Sequence, residues 1–456
     1  MSLTVCHIHF SQQSNHVVYV SNSLVELWKL DSSKPLFIKL GQDHITAQLK
    51  LLKRKGKHIY LSSSVRQRIK VPTSGAIHVL YHGNNEIQLG PLIGVLTDQF
   101  RENEASPFTS RSSFVKEIIR YGHNKAFTFG FIPADINWQD KTVLGPFLSN
   151  DGNWYRRKVT FPDVVYNRLP NRKKEVGEEM TKLREKFVEH GIPMFNWSFL
   201  NKNDVYELLN NDPEALKHIP ESYANPNPNI IKEMLDKFRF IYFKPSSGSL
   251  GYGIYRITYH PTRGYFLRYR TNDKNHLLRF DSFKKMYRQL QLRLGRNISN
   301  YVAQQGIRLI EIDKCPIDFR FHMHKDGQNN WQAVGVGAKK AGRGSVTTHM
   351  RNGGTLMTPM EALKITFGNQ AEQILGYAKQ VSIMLSEAIE RNYPHRIGEL
   401  GLDIGIDQNG EVWMFEANAK PGRSIFKHPE LKTEGKASLK YIVDHCMYLS
   451  RFQGDD

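Results

Sequence analysis

The sequence predicts a mixed α/β protein of the α+β kind, in three successive parts, and three observations carry that expectation. Residues 1–90 string short apolar runs between Gly and Pro, the pattern of a β-rich unit. Residues 92–132 follow a strand–helix–strand spacing. From Glu178 to about residue 445, amphipathic helices and short strands alternate. Apolar content is 40%, a normal globular value, and 456 residues allow an ample core. No run of 18 apolar residues and no charged-then-apolar N-terminal segment occurs, so the expectation is a cytoplasmic protein, neither spanning a membrane nor secreted. Cys6, Cys315 and Cys446 are far apart and odd in number, which points to a reducing compartment and away from disulfides or a zinc site.

In the first part, 1–90, strands are expected at Val17–Val20, Leu36–Leu40, His58–Leu61, Ala76–Tyr81 and Glu86–Leu89, with a brief helix at Ser62–Ile69. Gly56, Pro72, Gly75 and Gly83 punctuate them, as in a small barrel. The second part, 91–174, places strand Leu92–Leu96, helix Ser112–Tyr121 and strand Phe127–Ile132 in one α/β layer. It closes on the basic stretch Pro170-Asn-Arg-Lys-Lys174, which reads as a linker.

The third part, 175–456, opens with helix Glu178–His190, apolar at Met180, Leu183, Phe187 and Val188 and ended by Gly191. Lys182 and Lys186 share a face, where solvent lysines are the ordinary occupants. Phe240–Lys244 is an apolar strand that runs into Pro245-Ser246-Ser247-Gly248-Ser249-Leu250-Gly251, and a second strand follows at Ile254–Tyr259. Such a Ser/Gly-rich loop lets backbone N–H groups approach an anion, and Lys244 can reach a phosphate there. It is neither a P-loop nor a dinucleotide fingerprint, because a strand follows the glycines where a helix should; a plain hairpin turn fits equally well. Helix Asp281–Leu294, with Asp281 as N-cap, leads to strand Tyr301–Gln305. In Asp318–His324, Asp318, Arg320, His322 and His324 alternate onto one face; the two histidines suggest a metal, but His at i and i+2 on a strand is ordinarily just a polar face. Gly335–Lys340 and Thr348–Gly354 read as basic, glycine-rich loops, and helices near Pro359–Phe367 and Gln370–Asn392 precede the last strands.

The net charge of +19 is concentrated: residues 256–308 hold twelve Lys/Arg against Asp273 and Asp281. A polyanion site and a solvated basic face both fit, and no nucleic-acid motif accompanies the segment, so nucleic acid is not expected as the partner.

Near the end, Leu400–Arg423 reads as a buried hairpin turning at Asn409-Gly410. If those two residues form the turn, Gln408 pairs with Glu411, Asp403 lies opposite Glu416, and Asn418 shares their face. Two carboxylates and an amide among apolar neighbours need a cation; all-oxygen ligands suit Mg²⁺ or Mn²⁺. On spacing alone, a half-solvated hairpin with acidic decoration fits as well.

Taken in order, the helix lysine, Lys244-Pro245 with its Ser/Gly-rich flap, and Asp403…Glu416-Ala-Asn418…Pro421-Gly422 resemble the ATP-grasp superfamily of carboxylate–amine ligases. The motifs resemble those of D-alanine–D-alanine ligases over residues 176–445. Leu89-Gly-Pro-Leu-Ile-Gly-Val-Leu-Thr97, Phe243–Gly253 and Asn352-Gly-Gly354 are similar to the YheC/YheD-type proteins of endospore-forming bacteria, described as spore-coat-associated. This resemblance implies ATP held between two α/β subdomains behind a small pre-grasp layer. Lys182 and Lys244 would touch its phosphates under a flap of Ser246, Ser247, Gly248, Ser249 and Gly251. Gln304, Gln305 and Ile307 would line adenine, and Glu311 would meet the ribose. Arg320 and Arg351 would stabilise the transferring phosphoryl group, and Asp403, Glu416 and Asn418 would hold Mg²⁺ or Mn²⁺. The implied reaction joins a carboxylate, acidic or polymeric here, to an amine through an acyl phosphate; spore-coat proteins are implied partners. A structural coat protein that keeps the fold without turnover is the alternative. Two departures stand out. Gln304-Gln305 occupies a hinge where relatives carry Glu-Lys, and Gly401 stands where D-alanine–D-alanine ligases carry arginine.

Overall fold

Strands between Ser2 and Gly90 close into a barrel whose inward residues are apolar. In Asp43–Leu52, for example, Ile45, Ala47 and Leu49 point inward while His44, Thr46, Gln48 and Lys50 face out. The barrel includes two strands that polar alternation hides in the sequence, Ser2–Phe10 and Asp43–Leu52. This architecture comes from a computed structural model, which describes residues 1–454 apart from 103–104, 201, 247–252, 272–273, 344 and 346–352, and apart from the side chains of 202–203. Among the described residues, no helix is long and apolar enough to cross a membrane.

A four-stranded parallel sheet follows, from Leu92–Leu96, Phe127–Phe131, Val164–Asn167 and Met194–Phe195. Asp163 sits at its junction with the barrel, accepting from Gln88 Nε2 at 3.0 Å and Leu92 N at 2.7 Å. Burial lifts its carboxyl from the ordinary 3.8 to about 6. An acid whose native pKa is raised stabilises the fold most below its unfolded value and loses that contribution as pH rises through the native one. Relative to Asp163→Asn, the native chain should therefore lose at most about 3 kcal/mol between pH 4 and pH 7. Urea midpoints of both proteins at the two pH values measure this.

Two antiparallel sheets follow, linked through Tyr206 and Leu309. The first contains Ser222–Ala224, Tyr301–Gln305, Phe240–Pro245, Tyr255–His260, Gly264–Thr271 and Lys274–Phe280, in that order. Helices Pro228–Phe238 and Phe283–Leu294 cover its apolar face at Ile241, Phe243, Ile257 and Leu267. The second helix is capped by Ser282, whose side chain accepts from Lys285 N, so Asp281 lies one residue outside the cap. The second sheet joins Thr355–Met357, Trp331–Lys340, Cys315–Lys325, Glu399–Ile406 and Val412–Asn418. Leu385 and Ile389 of helix Ala371–Asn392 pack in the same core as Phe319, Phe321, Leu402 and Met414. Residues Gly335–Lys340 are therefore strand, not loop. Their glycines are small because Cβ atoms at Gly335 and Gly337 would lie 2.5 Å from Phe426 and 2.9 Å from Ile425. The basic stretch before Glu178 is likewise ordered: Arg172–Glu175 is a helical turn capped by Asn171.

Candidate functional site

The late hairpin turns more widely than a two-residue Asn-Gly loop. Asp407 N donates to Glu411 O at 3.0 Å, Asp407 Oδ1 accepts from Asn409 N and Glu411 N, and Gly410 alone of the pair takes positive φ, at 86°. This shifts the register near the turn by one residue, pairing Ile404 with Met414. A bulge at Phe415 shifts it back, so Asp403 still faces Glu416 and Gly401 faces Asn418. Phe415 lies against Gly405, where a Cβ would come within 2.6 Å of its ring.

The neighbouring strand adds Asp318 and Arg320 to the same face. Arg320 pairs in register with Asp403 and grips it with two bonds, Nε–Oδ1 and Nη2–Oδ2, both 3.0 Å. Lys339, from the strand beyond, lies 3.1 Å from Asp403 Oδ1 and 3.6 Å from Asp318 Oδ1. Burial alone would pull the Lys339 ammonium down, but the two aspartates outweigh it and hold it above its ordinary value. Arg172 Nη2 donates to Asn418 Oδ1 at 3.2 Å. Lys339 and Arg172 are site residues that the sequence reading did not single out, because each sits in what reads as loop or linker.

Gly401 explains how Arg320 fits. A Cβ at Gly401 would lie 2.6 Å from Arg320 Nη1 and 2.5 Å from Pro421 Cβ. The guanidinium thus lies over the glycine, and Nη1 also donates to Gly401 O at 3.4 Å. An arginine stands at this spot, supplied by the adjacent strand. Gly401→Ala should force Arg320 off Asp403 and destabilise the fold by about 1–3 kcal/mol; a denaturant melt of the variant checks this.

The oxygen donors Asp403, Glu416 and Asn418 fit a hard divalent cation in kind and in facing one way. Asp403 is already engaged by two cationic groups, so Glu416 is the carboxylate on which such an ion would most depend.

In the first sheet, Tyr242, Lys244 and Gln304 share the face away from the covering helices, since Tyr242 pairs with Gln304 in register. Lys244 is buried and its Nζ donates to Gln304 Oε1 at 2.7 Å. Gln304 Nε2 donates to Ser222 Oγ at 3.1 Å and to the Tyr206 hydroxyl. Tyr206 in turn donates to Phe415 O at 3.3 Å, tying this strand to the hairpin bulge. Burial raises the Tyr206 hydroxyl to about 12, so it stays a proton donor. Gln305 points the other way: its Oε1 accepts from Glu221 N at 3.1 Å while its own N–H donates to Glu221 O. At Gly306 a Cβ would come within 2.2 Å of the Phe240 ring. The chain then crosses to the second sheet, and Leu309 bridges to Asp407 of the hairpin turn. Ile307, Arg308 and Glu311 line a cavity of about 440 Å³ with Tyr242 and Arg256.

Lys182 stands at the surface of helix Glu178–Glu189, 2.6 Å from Glu178 Oε1. Ser246 N donates to Asn300 O at 2.8 Å. Ser247, Gly248, Ser249, Gly251 and Arg351 lie outside the described residues. The basic segment 256–308 is not one surface. Arg256 and Arg268 pair on the open sheet face, whereas Arg288 and Arg293 ride the helix on the opposite side, Arg293 stacked 4.0 Å from the Tyr269 ring.

His322 and His324 do not form a solvated polar face. Both are fully buried, beneath Phe426 and the Pro421–Arg423 loop, and burial drags His324 down to about 4 and His322 well below its ordinary value.

A family model described as YheC/D like ATP-grasp matches residues 191–449. The chain is 34% identical over 397 residues to the endospore coat-associated protein YheD of Bacillus subtilis (strain 168), covering 86% of each chain. It is 23% identical over 348 residues to the endospore coat-associated protein YheC of the same organism, covering 70% of this chain and 87% of that one. Among solved structures, the VanG D-Ala:D-Ser ligase from Enterococcus faecalis is similar at a TM-score of 0.45 and 12% identity, over 79% of this chain and 99% of that one.

Proposed function

The chain belongs to the YheC/D-like ATP-grasp family, and from that premise we propose that it is an ATP- and Mg²⁺-dependent ligase joining a carboxylate to an amine through an acyl phosphate. One observation carries the reading: Lys244 and Gln304 share one face of the first sheet, Arg320, Asp403, Glu416 and Asn418 share one face of the second, and Leu309 and Tyr206 tie the two sheets together.

In this reading Lys244 and Lys182 meet the ATP phosphates, and the loop of Ser246, Ser247, Gly248, Ser249 and Gly251 covers them. Gln304, Gln305 and Ile307 line adenine. Gln305 would act through its backbone, because its side chain is spent on Glu221. Glu311, on the cavity wall, meets the ribose. Arg320, with Arg351, neutralises charge on the phosphoryl group in flight, the main demand of such chemistry. Glu416, Asn418 and a shared Asp403 would hold Mg²⁺, or Mn²⁺, which when bound offsets phosphate charge. Lys339, 3.1 Å from Asp403 Oδ1, helps to position that carboxylate. The guanidinium groups of Arg256 and Arg268, paired on one sheet face, favour an acidic or polymeric carboxylate substrate.

The relatives' names associate them with the endospore coat, and we extend that setting to this chain, with coat proteins as its partners. Those names also favour a second reading, a coat protein that keeps the fold without turnover. Incubating the chain with Mg-ATP, hydroxylamine and a panel of acids, acidic polymers included, separates the two. The ligase reading expects ADP and a hydroxamate with the right acid. Neither product from any acid, in a protein shown to bind ATP, would favour the structural role.

A further inference from the structure

We propose that His322, His324 and Glu399 form a second metal site, buried and distinct from the Asp403–Glu416–Asn418 cluster, for a borderline transition ion of the zinc class. Glu399 pairs in register with His324, and His322 lies two residues along on the same sheet face. One ligand atom from each lies within 4.8 Å of the others, and all three side chains are completely buried. Bonds of roughly 2.0–2.1 Å to a tetrahedral ion require only modest closing of that triangle.

The hydrogen bonds already hold the ligands in ligating form. His322 Nε2 lies 3.0 Å from Gly422 O and so carries the proton, leaving the Nδ1 lone pair buried with no partner among the described residues. Glu399 spends Oε2 on Tyr166 Oη at 2.7 Å, Arg168 Nη1 at 3.1 Å and Asn196 Nδ2 at 3.2 Å. Among the described residues its Oε1 has no partner, and neither ring nitrogen of His324 has one. Orienting bonds behind two of the ligands, His322 and Glu399, with an unmet atom left on each, are part of the pattern of a built metal site. Unmet polar atoms are rare in a protein interior, and each of these three neighbouring side chains carries at least one among the described residues.

Arg168 and Arg423 stand beside the cluster. Their charge disfavours any cation held by charge alone, such as Mg²⁺ or Ca²⁺. An ion that bonds imidazole strongly, Zn²⁺ or Co²⁺, is selected instead. Bound there, it would lock the parallel sheet, through Tyr166, Arg168 and Asn196, to the sheet that carries Arg320 and Asp403.

The test is a Co²⁺ titration of the full-length, chelator-stripped protein. We expect one tight equivalent with visible d–d absorption, displaced by equimolar Zn²⁺ and untouched by a hundredfold excess of Mg²⁺. Zn²⁺ should also raise the melting temperature. His324→Gln should lose this equivalent, while Glu416→Gln keeps it. The trio of exposed His7 and half-buried His9 and His58 on the barrel is the competing site, so His58→Gln is the control. Folded native protein that binds neither Co²⁺ nor Zn²⁺ would overturn the proposal and leave water as the occupant. So would an equivalent lost in His58→Gln but retained in His324→Gln. If His324→Gln does not fold, the native titration and the His58→Gln control still decide.

Discussion

Glu416→Gln is expected to lower ATP turnover on the order of 10³-fold while leaving the chain folded. The change removes one negative charge and one strong oxygen ligand at nearly constant volume. Its strand neighbours supply no substitute: Asp403 is held on both oxygens by Arg320 and Lys339, and Asn418 offers only a neutral oxygen that already accepts from Arg172. If the metal-dependent step runs through this row, it should fail. The fold should not, because Glu416 is half-exposed on the open face while Leu402, Ile404 and Met414 hold the hairpin in the core. Steady-state ADP release and a thermal melt of both proteins measure the two halves. Equal turnover, with a substrate that the native chain uses, would remove the hairpin from the metal role.

Arg320→Ala should lower turnover by about 10²–10³-fold and leave Mg-ATP affinity nearly unchanged, since its role is charge stabilisation in the transition state. The variant also breaks the bidentate pair with Asp403. Lys339 remains within 3.1 Å of that carboxylate, so the orphaned charge keeps one cation and the cost in stability stays modest. Arg320→Lys should rescue little, because an ammonium cannot reproduce the two-bond grip. A variant that lost ATP affinity in step with turnover would make Arg320 a nucleotide-binding residue instead.

Much of this site was legible. The Asn-Gly signal and the alternation around it place Asp403, Glu416 and Asn418 on one face, although the turn itself is wider than that dipeptide suggests. The pairing survives because the bulge at Phe415 restores the residue that the Asp407–Glu411 turn displaces. Lys244 and Gln304 were visible as the end of an apolar strand and the start of a hinge. Lys339 was not, because Gly-Val-Gly-Ala reads as loop; only the packing of Ile425 and Phe426 reveals why a strand needs those glycines. Tyr206 and Arg172 carry no local signal, since their partners lie 209 and 246 residues away. The burial of His322 and His324 is a tertiary fact: alternation gives them a face, and only the loop after Asn418 determines that the face is covered.

The most direct test of the central claim is the stability of the native chain in Mg-ATP. A ligand that binds only the folded state stabilises it by mass action, by about 2.7 kcal/mol at a hundredfold excess over Kd. The account predicts a shift of that size with Mg-ATP, a smaller one with Mg-GTP, because Gln304–Ile307 is proposed to line adenine, and a reduced one for Lys244→Ala. No shift at saturating Mg-ATP, in a chain shown to be folded, would contradict it.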